Sequence, residues 1–228
     1  MCRNRVSHNL VPAPQGAGTS VAIQLRAGLF YDGVTFKILS DYYLRETAWQ
    51  ARLSFRGLDR LAEEVLSHQM KIACKVTEKH LFIGVRQHGQ GGAGGLDPSF
   101  EAAMERAGVT AHLLPCNCKG EKGVDTSLSL EMFGAAMEGR IDAAVLLATD
   151  GDFAPLAQKM RSAGFPVALL AFHLPHKRPQ PVFLSPALTD AAAFVFPVSD
   201  WIERPPAGLA GLIPQIFWHG AGPVGLCA

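Results

Sequence analysis

Ile141-Asp142-Ala143-Ala144-Val145-Leu146-Leu147-Ala148-Thr149-Asp150-Gly151-Asp152-Phe153 is the stretch that sets the architecture of this chain. An apolar run without alternation reads as a strand covered on both faces. It closes on two carboxylates, and a helix over 153–163 follows directly. Pro155 sits in that helix's first turn, where no amide partner is lost. Gly164 ends the helix, and a further strand occupies 165–172.

The same alternation continues in both directions. Before it come a strand over 23–31, helical spacing over 34–50 and 58–69, and short strands over 71–76 and 81–85. A helix over 98–107 capped by Asp97, a strand over 110–114 and a long helix over 124–137 follow. After it come a short helix over 184–189 and an edge strand over 194–196. Apolar strands alternating with helices predict an α/β fold, a three-layer open and mostly parallel sheet with helices on both faces. The expected organisation is a flexible leader over 1–20, one domain over 21–200 and a Pro/Gly-rich tail over 201–228. The tail either packs back or stays loose, with Trp201 and Trp218 read as its anchors. The glycine-rich 88–95 reads as a mobile loop.

Composition removes several classes of function. At 48% hydrophobic and 18% charged, a chain of 228 residues can fill a core, so disorder over most of its length is excluded. A net charge of +1 neither announces nor excludes a nucleic-acid partner, because a local basic rim can exist at zero net charge. Five cysteines, Cys2, Cys74, Cys116, Cys118 and Cys227, form no disulfide framework and no paired zinc motif. No apolar run reaches membrane-spanning length, and a cytoplasmic location is the default expectation. GxGxxG after the first strand, GxxxxGK[ST] and GxSxG are all missing.

The acids are the chemical signal. Asp32 closes the first strand, Asp150 and Asp152 close the strand quoted above, and Asp125 opens the long helix. Ligands of open α/β sheets bind outside the carboxyl ends of the strands, so these acids are candidates for one site. Clustered carboxylates repel when ionised, and Mg²⁺ or Mn²⁺, hard ions that take oxygen ligands, would remove that cost. A lone Asp in such a place is ordinarily a helix cap, and only one of Asp150 and Asp152 is needed for capping. Lys122, three residues before Asp125, is the leading candidate for a phosphate contact, ahead of Lys37, Arg45 and Lys119. Lys177 and Arg178 are also candidates, although an ordinary polar loop explains them as well. The near-helical spacing of Tyr42, Tyr43 and Trp49 favours core packing over base stacking.

These segments together resemble the NYN domain, the LabA-like branch of the PIN-like metal-dependent ribonucleases. The resemblance rests on Tyr31-Asp32-Gly33-Val34-Thr35, on Lys122-Gly123-Val124-Asp125 with Glu131 in the helix, and on Thr149-Asp150-Gly151-Asp152-Phe153. Gly164-Phe165-Pro166-Val167-Ala168 and Leu184-Ser185-Pro186-Ala187-Leu188 extend it, so that it covers roughly 24–198. It implies a PIN-like sheet and metal-dependent hydrolysis of RNA phosphodiesters. Asp32, Asp125, Asp150 and Asp152 would be the catalytic and metal-binding acids, and Thr35, Lys122 and Thr149 the substrate contacts. RNA is the implied partner, and the apolar residues after Trp201 leave self-association open. Two positions depart from the family pattern: Thr35 replaces its Asn, and Glu131 stands where Asp is frequent. A non-catalytic or weakly catalytic RNA-binding or nucleotide-binding module, or a scaffold protein, is the alternative.

Overall fold

The computed structural model describes residues 24–86, 96–117, 120–121, 123–177 and 180–218. The chain runs β1 (Leu25–Asp32), α1 (Gly33–Arg45), β2 (Arg52–Leu53), α2 (Phe55–Met70), β3 (Cys74–Arg86), α3 (Pro98–Ala107), β4 (Thr110–Asn117) and β5 (Gly120–Glu121). It continues through α4 (Val124–Met137), β6 (Ala143–Leu147), α5 (Ala154–Ser162), β7 (Val167–Ala171), α6 (Pro186–Ala191), β8 (Phe194–Pro197), α7 (Val198–Glu203) and β9 (Phe217–Trp218). Short 3₁₀ turns, Gly151–Phe153 and Ile213–Ile216, precede α5 and β9.

Seven strands form one sheet in the order β5-β4-β3-β1-β6-β7-β8, and all neighbours are parallel except β4 and β5. β1 lies between β3 and β6, so the winding direction reverses beside it. Such a switch point is where an open α/β sheet leaves a crevice. Side-chain alternation divides the core in two. Leu29, Tyr31, Val145 and Leu147 face α1, α2 and α3, whereas Phe30, Ala144 and Leu146 face α4, α5 and α6. The result is the three-layer α/β architecture expected from the continuous apolar strands.

Three elements differ from the sequence reading. The two short strands over 71–76 and 81–85 are one strand, β3. Its polar middle is accommodated because each side chain meets a partner. Lys79 Nζ donates to Asp59 at 2.8 Å and to the Ala107 carbonyl, while Glu78 and His80 face Arg140 and His112. The helix over 34–50 ends at Arg45. The Thr47 hydroxyl donates to the Tyr43 carbonyl at 2.9 Å, and Gln50 turns the chain at φ 44°.

The third difference lies in what anchors the chain after 200, which packs back, one of the two courses expected of it. α7 crosses that point, and Ile213, Ile216 and Phe217 are buried against the α1/α2 core. Gly57 permits this approach: a Cβ there would sit 1.9 Å from the Gln215 carbonyl. Anchoring falls to Ile216 and Phe217 rather than to Trp218, which is 52% exposed. Tyr43 is buried and Tyr42 and Trp49 pack on the same core, as their spacing favoured. The leader, the loop over 88–95, Lys119, Lys122 and Arg178 lie outside the described residues.

Candidate acidic site at the carboxyl edge of the sheet

Parallel pairing sets Tyr31 level with Leu147, so Asp32 on β1 and the Thr149-Asp150 segment after β6 emerge at the same edge. Asp32 is buried at 9% exposure and caps α1. Its Oδ1 accepts the Val34 amide at 3.1 Å, and its Oδ2 accepts the Thr35 hydroxyl at 2.5 Å. Thr35 is itself buried. It therefore acts on the carboxylate, as a single hydroxyl of short reach can. Gly33 is required between them: a Cβ would meet the Phe82 carbonyl at 2.5 Å and the Ile83 Cβ at 2.6 Å. Helix α1 consequently starts flush against β3.

Asp150 is exposed and caps the turn that follows, its Oδ1 accepting the Asp152 amide at 3.0 Å. Asp152 is exposed, and Thr149 is half-buried, its carbonyl accepting the Ser185 amide at 3.0 Å. Ser185 was not singled out by the sequence reading. Its Oγ would lie 2.7 Å from a Cβ at residue 151, so it closes over the loop only because that residue is glycine. The signal available was the Ser-Pro pair ahead of α6.

Asp125 stands in the first turn of α4, behind Gly123 at φ 78°. Burial raises its pKa, and the charges of Asp32, Asp150 and Asp152 raise it further. Four carboxylates from three distant segments therefore share one electrostatic neighbourhood. Among the described residues, no cation is paired with Asp125, Asp150 or Asp152.

The donor chemistry suits a hard divalent ion, since carboxylate oxygens are what Mg²⁺ and Mn²⁺ take. The geometry is not closed: among the described residues, no group of three or more His, Cys, Asp or Glu is disposed to hold a metal ion. The capping bonds account for part of this, because they hold Asp32 and one oxygen of Asp150 toward their own helix starts. Glu131, six residues after Asp125 and on another face of α4, is not part of the group. It pairs with Arg140 at 2.6 Å.

The class defined by this geometry is a doubly wound α/β domain with an acidic carboxyl edge. The chain belongs to the NYN domain family, which matches residues 26–197. A protein of unknown function from Vibrio parahaemolyticus has a similar fold, with a TM-score of 0.52 at 17% identity. That match covers 77% of this chain and 94% of the Vibrio chain. No curated protein sequence matches this chain. Among the described residues, no helix is long and apolar enough to cross a membrane.

Proposed function

We propose that this chain is a divalent-metal-dependent ribonuclease whose site is formed by Asp32, Asp125, Asp150 and Asp152. The supporting observation is that β1, the first turn of α4 and the segment after β6 bring these four acids to one neighbourhood at the switch point of the sheet, where burial, and then the charges of the other three, push the pKa of Asp125 up. Structural acids are ordinarily paired or exposed singly, whereas a like-charged group stays gathered when a cation joins it. Bound Mg²⁺ or Mn²⁺ would supply Lewis acidity toward a phosphoryl oxygen and lower the pKa of a water.

The chain's own residues set the stage for that ion. Thr35 fixes the carboxylate of Asp32, and Gly33 and Gly151 let two helix starts close on the same edge. Asp125 and Asp152 are exposed and make no capping bond through their side chains, unlike Asp32 and Asp150. Thr149 and Lys122 are the proposed contacts to the phosphate backbone. In-line attack by water would form a P–O bond and break the bond to the 3′ oxygen. The products are a 5′ phosphate and a 3′ hydroxyl. A binding module with weak catalysis is the second reading, favoured by the capping bonds that occupy Asp32.

The test is labelled single-stranded RNA incubated with Mn²⁺, with EDTA, and with Asp150→Asn protein in Mn²⁺. Cleavage in Mn²⁺ alone, absent from the variant at an unchanged melting temperature, is the expected result. Cleavage that survives in Asp150→Asn overturns the site. Binding without cleavage by the wild-type protein in Mn²⁺ transfers the assignment to the second reading.

A further inference from the structure

One cavity of the described structure is lined by none of the four acids. It encloses about 590 Å³ between α1, the start of α2, the end of β3 and α3. This is the size range of small-molecule pockets. Its floor is aromatic: Phe36 and Phe55 stack at 4.4 Å, and Phe100 packs on both at 6.0 and 5.8 Å. Its rim carries five cations, Lys37, Arg45, Arg52, Arg56 and Arg106, against two carboxylates, Asp41 and Asp97. Arg52 is paired with Asp41 at 2.6 Å, and Arg56 donates to the Arg106 carbonyl at 2.6 Å. Lys37, Arg45 and the Arg106 guanidinium have no ion-pair partner among the described residues.

Trp218 completes the rim. Half of it is exposed, yet its backbone is pinned opposite Arg52 by the β2–β9 pairing. An exposed indole on a fixed backbone, beside unpaired cations, is a stacking platform with phosphate-binding groups next to it. A second cavity, about 330 Å³, shares Lys37, Asp41, Ile83 and Gly84 with the first and reaches Val34. The Val34 amide is the one bonded to Asp32. Lys37 is five residues along from Asp32, or about 8 Å along the helix axis. The two cavities thus share one wall, and the second ends at the residue whose amide is bonded to Asp32.

We propose that this pocket binds one unstacked nucleotide of a single-stranded RNA, its base on Trp218 and the aromatic floor and its phosphate on Lys37, Arg45 and Arg106. The proposal rests on the ribonuclease reading for its substrate class, and it locates a base-binding subsite outside the four acids. An acidic peptide would satisfy the rim and leave the aromatic floor unused. A free nucleotide has the same chemistry as a nucleotide within a strand, so the test treats the two separately.

The experiment measures anisotropy of a labelled eight-nucleotide RNA in EDTA, where no metal-dependent cleavage occurs. Trp218→Ala is expected to weaken binding by about 5- to 100-fold, and Trp218→Phe to restore most of it. The exposed double variant Lys37→Gln/Arg106→Gln is expected to weaken binding and to reduce the salt slope by about 1.4. If Trp218→Ala and the double variant both bind as the wild type does, the pocket is not the subsite. A glutamate peptide of equal charge that competes as well as RNA also overturns the proposal, because base recognition is then absent.

Asp150→Asn separates the two readings. Normal binding with lost cleavage supports both, and normal binding with retained cleavage removes the acidic site but leaves the pocket standing. Adenosine monophosphate that quenches tryptophan emission in the wild type, and not in Trp218→Ala, shows that a free nucleotide suffices. Oligomer binding that depends on Trp218 without that quenching shows that the neighbouring nucleotides are needed.

Discussion

Helix α4 carries acids into two very different surroundings. In its first turn Asp125 faces three other carboxylates, and its pKa is raised by burial and by their charge. Six residues later Glu131 lies in a cluster with Glu78, His80, His112 and Arg140. There desolvation works to raise its pKa, but the bond and charge of Arg140 and the two histidines outweigh it. The guanidinium of Arg140 donates to Glu131, Glu138 and Glu78, and is held charged by them. The rings are packed as well, Phe30 on His80 at 5.2 Å and Phe82 on His112 at 4.1 Å. Arg140 pairs with the acids of one group, whereas among the described residues no cation pairs with Asp125, Asp150 or Asp152 of the other. Charge that is already balanced serves the fold, whereas like charges left together leave room for a cation.

The sharpest way to break this contrast is to neutralise one member of each group and read both stability and cleavage. Asp150→Asn should lower metal-dependent cleavage by about 100-fold or more and leave the melting temperature near that of the wild type. Arg140→Met should do the reverse. Removing the cation strands Glu78 and Glu131 together, which would cost 3–5 kcal/mol if the pair were fully buried. Arg140 is 35% exposed, so screening reduces this to about 1–2 kcal/mol, or about 2–8 °C in a chain of this size. Equal losses of activity and stability in both variants would erase the distinction.

The sequence made one of these regions far more legible than the other. Each acid of the candidate site sits where a strand ends or a helix begins, a position that periodicity and capping rules can locate. The balanced cluster had no such signature. Glu78 and His80 interrupted an apolar run, so β3 was divided at the residues that tie it to the turn after α4 and to β4. Partners 32 and 62 positions away, His112 and Arg140, supply what local propensity cannot. The aromatic pocket was hidden for a similar reason. Trp218 was read as an anchor of the tail, and the short β2–β9 pairing that sets it at the rim joins Arg52 to Trp218 and Leu53 to Phe217, far apart in the chain.

A cation added from solution sharpens the contrast further. Saturation with Mn²⁺ at a hundred times its dissociation constant should stabilise the wild type by about 2.7 kcal/mol, seen as a higher melting temperature. Asp125→Asn should show a smaller rise. Without metal, the same variant should melt slightly above the wild type at pH 7. A carboxyl whose folded pKa is raised binds more protons folded than unfolded, so its ionised form opposes folding at pH values above that pKa. The advantage of the variant should therefore shrink as the pH falls toward 4. An advantage that persists unchanged at low pH would mean that repulsion among the acids is not its source.

The opposite sign is expected on the balanced side, and it is the smallest effect. Burial lowers the pKa of His112, and the neighbouring His80, whose Nδ1 lies 3.0 Å from the His112 Nε2, lowers it further. A histidine depressed in the folded state binds fewer protons there than in the unfolded chain. Its contribution is present above the ordinary value of about 6.5 and is lost as the pH falls through the folded value. Wild-type protein should thus lose melting temperature between pH 7.5 and pH 5. His112→Gln keeps a hydrogen-bonding side chain and cannot titrate, so its loss over the same interval should be shallower. Acidification would then relieve the region around Asp125 while it burdens the one around His112. Parallel curves for wild type and variant would show that His112 is not the source of the loss at low pH.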